Sequence, residues 1–460
     1  MELLKRMKNA EKNYFRKILI CVGWLLVWQF ISLAVGNKVL LVGPLDTLRA
    51  LVLHATEPVF WQACGGSVLR IGLGFAAGML IGVIFAVISA HKKIAEEILS
   101  PVMTLLKTMP VASFVVLFLI WWSSSFLAVA ISFCVTLPNL YLNTLEGLKS
   151  CDKKLLEMTK VFGIAGRDKF FYVYRPALKP FWDSAICLAA GMSWKAGVAA
   201  EVIGLPNYAI GERLYMSKIH LDTAGVLAWT VVVVCLSVGF EKFVRAVWKR
   251  FCEWEPACKG AVLNAMMQGN GSRKHGKQGA TVPNDEKEYL RLNELTKTYD
   301  GKNVVDAITA EYYPGEIYYF DSPSGSGKTT LFRLIAGLEK PDCGNVEGNI
   351  TSIGYLFQED RLCEEYSAVK NIELITGSKF VAQEALKELL DAEDIEKPCK
   401  ELSGGMKRRV ALVRAMISGA DVILLDEPYN GLDEENRTKV TAYVENRGRG
   451  SIVLIATHIR

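Results

Sequence analysis

Residues 322–330 read Ser322, Pro323, Ser324, Gly325, Ser326, Gly327, Lys328, Thr329, Thr330. This glycine-rich loop follows a run that reads as a strand, Ile317 to Phe320, and precedes a helical stretch, Thr329 to Ala336. Such a loop offers a row of backbone N–H groups and a helix N-terminus to phosphates. Lys328 would reach the β- and γ-phosphates of a nucleotide, and the Thr329 hydroxyl would ligate Mg²⁺. The loop pattern ordinarily begins with Gly, where a tight turn often needs glycine's freedom, and Ser322 stands there. Further on, Val422-Ile-Leu-Leu runs into Asp426 and Glu427. Four apolar residues followed by acid describe a buried parallel strand that delivers charge to the carboxyl edge of a sheet. Asp426 would hold the Mg²⁺ through water, and Glu427 would polarise the attacking water. Between them, Ser403, Gly404 and Gly405 open a basic helix with Met406, Lys407, Arg408 and Arg409, a second anion site. Each piece has an ordinary reading as a turn, a core strand or a cap. Their serial order points to nucleotide hydrolysis.

That order resembles the ATP-binding-cassette ATPases over about residues 289–460. The resemblance implies an α/β P-loop fold, with ATP and Mg²⁺ as cofactors. It implies that Gln358, in Leu356-Phe-Gln-Glu-Asp-Arg361, is the glutamine-loop residue serving the metal and the reaction. Asn430-Gly-Leu-Asp433 resembles the family's D-loop. His458, after a strand read at Ser451 to Ala456, matches the histidine that contacts the γ-phosphate, and Tyr299 stands where an aromatic stacks on adenine. Met406 replaces the usual Gln. The chain ends two residues after His458, where the family continues, which bears on the rigidity of that loop.

The first half of the chain is of another kind. Hydrophobic residues make up 51% and charged residues 22%, with a mean hydropathy of +0.22, and the apolar excess lies before residue 250. Apolar stretches at about 18–36, 68–90, 102–122, 126–146, 181–201 and 224–245 predict an α-helical membrane domain with six transmembrane helices. Trp24, Trp28, Trp121, Trp122 and Trp248 fall at stretch ends, as at bilayer interfaces. Basic residues cluster at Lys5, Arg6, Lys8, Lys12, Arg16 and Lys17 and again through 149–180, whereas 37–66 and 202–222 hold few. By the positive-inside rule the N-terminus is cytoplasmic, and an even number of crossings places the nucleotide-binding half in the cytoplasm of a cell-membrane protein. The N-terminal run lacks a clear small-residue cleavage site and reads as a retained helix. The formal net charge of +5 records this asymmetry and calls for no nucleic-acid partner.

Within 149–180, Glu157-Met-Thr, then Gly163, then Val173-Tyr-Arg-Pro176 reads as a short amphipathic helix, a Gly turn and a second helix, able to dock into a neighbouring domain. It resembles the coupling motif (157–176) of bacterial ABC importer permeases, with Met158, Thr159 and Arg175 departing from the usual residues. Both halves are similar to the importers for nitrate, sulfonates, taurine, bicarbonate and thiamine-pyrimidine precursors. The carriers of that similarity are Leu105-Leu-Lys-Thr-Met-Pro110, Leu137-Pro-Asn, Ala199-Ala-Glu-Val-Ile203 and Tyr355-Leu-Phe-Gln-Glu-Asp-Arg-Leu362. The domains are then 1–250 permease, 251–288 linker and 289–460 cassette. The linker, polar and Gly-rich over 268–287, would reach roughly 25 Å.

The resemblance implies ATP-driven import of a small solute across the cytoplasmic membrane. It also implies a homodimer, because one cassette's phosphate loop meets the Ser403 turn of another, and a separate extracytoplasmic substrate-binding protein. The competing readings are an exporter half and an ATP-binding regulatory membrane protein. Against the exporter, the loop at 91–101 is short and the coupling motif belongs to importers. Eleven cysteines are scattered without a Cys-x-x-Cys pair and read as apolar fillers. Two charges of the fifth stretch, Lys195 and Glu201, bear on function. Glu201 reads as lying at the headgroup boundary, and Lys195 as a snorkelling or paired residue, or as one facing the translocation path and favouring anions.

Overall fold

The computed structural model describes residues 2–256, 258, 289–323 and 325–457; Ser324, His458 and nearly all of the 251–288 linker lie outside the described residues. Two compact units emerge, Met1–Lys149 with Leu178–Trp254, and Ser150–Ala177 with Glu255–Arg460. The coupling motif, assigned from sequence to the membrane domain, belongs by its contacts to the second unit.

The first unit is helical: α1 (Glu2–Val35), α2 (Pro44–Ala55), α3 (Pro58–His91), α4 (Lys93–Thr108), α5 (Val111–Trp121), α6 (Ser124–Lys149), the membrane part of α9 (Arg175–Gly204), α10 (Ile210–Ile219) and α11 (Thr223–Glu253). Among the described residues, five helices are long and apolar enough to cross a membrane. The third expected span, 102–122, is not one straight helix. It is the pair α4 and α5, bent by 105°. The bend falls at Met109, which precedes Pro110 and is extended (φ −67°, ψ 136°), a conformation that a following proline favours over the helical one. The Glu201 side chain, read from sequence as lying at the headgroup boundary, is fully buried within the protein.

Helices α3 and α6 meet along a stripe of glycines. A Cβ on Gly74 would lie 2.3 Å from the Val129 carbonyl oxygen, one on Gly78 would lie 2.8 Å from Thr136 Cβ, and one on Gly82 would lie 2.9 Å from the Leu137 carbonyl oxygen. Small residues let membrane helices approach closely enough for dispersion contacts, which drive association where no hydrophobic effect acts.

The second unit holds two sheets. Strands β1 (Leu290–Tyr299), β2 (Lys302–Tyr312) and β4 (Cys343–Gly348) form an antiparallel sheet in the order β2-β1-β4. Strands β3 (Ile317–Asp321), β5 (Ile353–Leu356), β6 (Val422–Asp426) and β7 (Ile452–Thr457) form a parallel sheet in the order β3-β7-β6-β5. β6 and β7 are buried along their whole length, as their unbroken apolar runs require. Helices α12 (Lys328–Ile335), α13 (Ala368–Thr376), α14 (Lys379–Lys387), α15 (Gly404–Ile417) and α16 (Glu434–Arg447) complete the unit. The segment 150–177 contributes α7 (Lys153–Val161), a turn at Gly163 (φ +61°), α8 (Gly166–Lys169) and a π-helical turn at Phe170–Tyr174 that runs into α9. Its Met158, Phe162, Phe171 and Tyr172 share one buried cluster with Leu331, Leu334, Tyr355 and Phe357.

Gly78→Leu should therefore destabilise the membrane unit by about 1–3 kcal/mol through overpacking, read as a lower unfolding temperature in detergent. Gly72→Leu, where a Cβ meets nothing within 4 Å, serves as the control. Equal unfolding temperatures for the two variants would contradict the close approach of α3 and α6.

Candidate functional site

The parallel sheet gathers the sequence-predicted residues at one edge. The phosphate loop follows β3, Gln358 follows β5, and Asp426 and Glu427 close β6; β7 ends at Thr457. Strand carboxyl ends are where open α/β sheets bind ligands. Within the loop, Gly325 (φ +81°) and Gly327 (φ +88°) take left-handed backbone, and a Cβ on Gly327 would meet the Val304 carbonyl oxygen at 2.3 Å. Ser322 is not among the left-handed residues. The missing first glycine therefore incurs no strain of that kind. Lys328 donates to the carbonyl oxygens of Ser322 and Thr457, which sets its ammonium between the loop and the end of β7. Pro323 accepts from the Ser326 amide at 3.3 Å, and Thr330 lies in the first turn of α12.

Thr329 Oγ1 donates to Asp426 Oδ2 at 2.8 Å. Burial pushes the Asp426 carboxyl above its ordinary value, and the Thr329 hydroxyl partly offsets this. Two hard oxygen donors around an unfavourably buried carboxylate fit Mg²⁺, whose remaining ligands would be phosphate oxygens and water. Glu427 adopts φ +53°, a conformation that costs a non-glycine residue roughly 1–3 kcal/mol and recurs at functional sites. Its amide donates to Ala456 O at 2.9 Å, and its Oε2 accepts from Asn430 Nδ2 at 3.3 Å.

The remaining predicted residues stand apart from this edge. Ser403 caps α15, its Oγ accepting from the Met406 amide at 3.3 Å. A Cβ on Gly405 would lie 3.3 Å from the Gly431 carbonyl oxygen, and nothing lies within 4 Å of one on Gly404. Asp433 caps α16 through the Asn436 amide at 2.8 Å; that bond, with the Asn436 side chain, holds its carboxyl below the usual range. Tyr299 is exposed at the end of β1, and its hydroxyl is engaged by Glu339. That hydrogen bond is the main reason its phenol is pushed up to about 12.

Two sets of arginines were not legible as site residues. The first is Arg408, seen in the sequence only as part of a basic helix. It is buried and donates to the carbonyl oxygens of Phe357 at 2.6 Å, Gln358 at 3.2 Å, Glu427 at 2.9 Å and Asp426, with Asp360 Oδ1 at 3.1 Å. One guanidinium thus holds the Gln358 loop to the end of β6. Arg414 does the same for the Asp360 and Arg361 carbonyl oxygens, at 2.8 and 2.7 Å. The second set receives Glu157 of the coupling segment. Arg333 on α12 grips both carboxylate oxygens at 3.0 Å, and Arg361 adds a third bond at 2.7 Å. Chiefly through Arg333, the Glu157 carboxyl is held below its ordinary value. The clamp is therefore fully present at neutral pH and is lost only as pH falls through that lowered value.

Glu427→Gln should cut ATP hydrolysis by about 10²-fold or more while leaving nucleotide binding within a few-fold of wild type, since the loop amides and Lys328 are untouched. The check is steady-state phosphate release beside fluorescent-nucleotide binding. Hydrolysis within a few-fold of wild type would remove Glu427 from its assigned place.

Comparison with known proteins agrees with both halves. The family described as ABC transporter matches residues 305–430, and the binding-protein-dependent transport system inner membrane component matches residues 78–251. An uncharacterized ABC transporter ATP-binding protein, YcbN of Bacillus subtilis, is 32% identical over 37% of this chain, which spans 61% of that protein's length. The aliphatic sulfonates import ATP-binding protein SsuB 1 of Rhodococcus jostii is 38% identical over 37% of this chain and 72% of its own length. The lipoprotein-releasing system ATP-binding protein LolD of Bacteroides fragilis is 33% identical over 37% of this chain and 90% of its own. A nucleotide-type loop, an acid pair at a strand end and a docked coupling segment thus coincide with these matches, and the chain belongs to the ABC transporter family, as a permease-type membrane domain joined to an ABC-type ATPase domain.

Proposed function

We propose that this chain is one half of an ATP-driven importer. Two copies would pair so that each phosphate loop faces the Ser403–Gly405 turn of the other, with ATP and Mg²⁺ between them. The reading rests above all on Glu157, which holds the helix that follows the phosphate loop (Arg333) and the loop that follows Gln358 (Arg361). Any movement of those two elements with the state of the nucleotide would pull directly on the coupling segment, which runs on into α9. Roles follow from position: Lys328 and the loop amides bind phosphate, Thr329 and Asp426 hold the metal, Glu427 activates water, and Gln358 and His458 report on the γ-phosphate.

Import, rather than export, is favoured by the inner-membrane-component match, which includes the coupling segment. It is favoured also by the passage from α3 to α4 through Lys92 alone, which leaves no room there for a long cytoplasmic helical extension. The cassette by itself is silent on direction, since its relatives include a sulfonate importer and a lipoprotein-releasing system. The transported molecule would be a small anion such as nitrate, a sulfonate, taurine or bicarbonate, or a thiamine-pyrimidine precursor, delivered by an extracytoplasmic binding protein. The cassette would work in the cytoplasm, a placement supported by the basic N-terminus and the basic 149–180 segment.

Cells expressing the chain together with a cognate binding protein should accumulate one member of a radiolabelled panel of those solutes, and cells expressing Glu427→Gln should not. Lower cellular content in the wild type than in the variant would mean export and overturn the proposal.

A further inference from the structure

Two charges in the later part of helix α9, Lys195 and Glu201, are treated in opposite ways by the fold. Glu201 is fully buried, accepts from Ser67 Oγ at 2.6 Å and from the Gly211 amide at 3.3 Å, and has Arg70 at 3.6 Å. Arg70 turns its other donors to the carbonyl oxygens of Asn207 and Tyr208. Glu201 is thus ion-paired inside the bundle, both hydrogen bonds falling on Oε2 while Oε1 faces Arg70 without accepting one. Lys195, on the same helix, is exposed and has no ion-pair partner among the described residues.

The exposure follows from how α9 is packed. At about 100° per residue, Ser193, Trp194, Gly197 and Glu201 share one side of the helix. Ser193 O accepts from Ser132 on α6, Trp194 donates to Val233 O on α11, and a Cβ on Gly197 would lie 2.6 Å from Ile71 on α3. Leu188, Met192, Lys195, Ala199 and Ile203 occupy the opposite side, and all are exposed. Lys195 lies about 13 Å along the helix from Gly204 and about 18 Å from Asp183, near the middle of a hydrocarbon layer about 30 Å thick. Its Cα–Cβ bond tilts towards the helix N-terminus, which carries the ammonium away from the nearer surface. An ammonium at that depth is costly against lipid, and intramembrane charges of this kind commonly mark solute or ion paths.

We propose that Lys195 lines the solute path and selects solutes that carry a negatively charged group, whether carboxylate, sulfonate, phosphate or an inorganic oxyanion. The proposal rests on the importer reading and narrows it, setting the anionic solutes above a pyrimidine precursor. With two copies, two ammonium groups would face the same path and make its potential positive, raising the local concentration of anions and excluding cations.

The test needs no knowledge of the natural solute. Ala199→Cys places a thiol one turn from Lys195 on the same face. It would be made in full-length protein whose Cys21, Cys187, Cys235, Cys252 and Cys343 are serine, reconstituted in lipid and checked for ATPase activity. Rates are compared for an anionic and a cationic methanethiosulfonate reagent, each divided by its rate with a free thiol. The expected result is a preference for the anionic reagent that falls roughly tenfold with Lys195→Met and persists with Lys195→Arg; Lys195→Gln supplies the neutral comparison if the Met variant loses ATPase activity. A thiol at 199 inert to both reagents in an active ATPase would place this face against lipid or protein and overturn the proposal. So would a preference unchanged by Lys195→Met. Failure of the importer reading is separate, since it would show as absent ATP-driven uptake while the reagent preference remained.

Discussion

The carboxylate of Glu157, held between Arg333 and Arg361, is the contact on which the second unit's construction depends. Arg333 follows the phosphate loop on α12, Arg361 lies three residues beyond Gln358, and Glu157 lies on a segment that leads into a membrane helix. Charge-assisted bonds of this kind contribute on the order of 1–3 kcal/mol. The lower end applies here, because the carboxylate is 31% exposed. Its value lies less in that energy than in its address. Glu339 ties Arg333 on to Tyr299, so a chain of polar contacts runs from the aromatic at the end of β1 to the coupling segment. Apolar contacts carry the bulk of the adhesion: Met158, Phe162 and Phe171 are buried in the cassette's own core cluster.

Around the sheet edge the governing constraint is strain held down by buried arginines. Glu427 (φ +53°) and Arg361 (φ +48°) both sit where non-glycine residues are disfavoured. Arg408 and Arg414 replace lost hydration with four and two backbone carbonyl oxygens respectively. The arrangement makes the Gln358 loop and the β6 terminus one mechanical piece. A change at the γ-phosphate felt by either would reach Arg361, and through it Glu157.

Much of this was legible in the sequence wherever a motif combines type with spacing. The phosphate loop, the β6 acid pair, the cap at Ser403 and the helix–glycine–helix form of 153–174 all stand where residue pattern put them. Three things were not legible, each for a physical reason. A hydropathy run over 102–122 does not register that Pro110 bends the chain at Met109. The burial of Glu201 depends on Ser67 and Arg70, remote in sequence and adjacent only after packing. Arg333, Arg408 and Arg414 look like solvated helical charges until tertiary structure supplies carbonyl and carboxylate partners, so composition alone understates them. Ser322 ran the other way, since its departure from glycine falls at a backbone position that any residue can adopt.

The most direct measurement is a charge-reversal cycle on ATP hydrolysis by the full-length chain in lipid. Glu157→Arg and Arg333→Glu would each be measured alone and then combined. If the carboxylate–guanidinium contact joins the coupling segment to the cassette, each single reversal lowers the rate and the double reversal regains it several-fold, a coupling of roughly 1 kcal/mol or more. A double variant whose loss equals the sum of the two single losses would contradict the account.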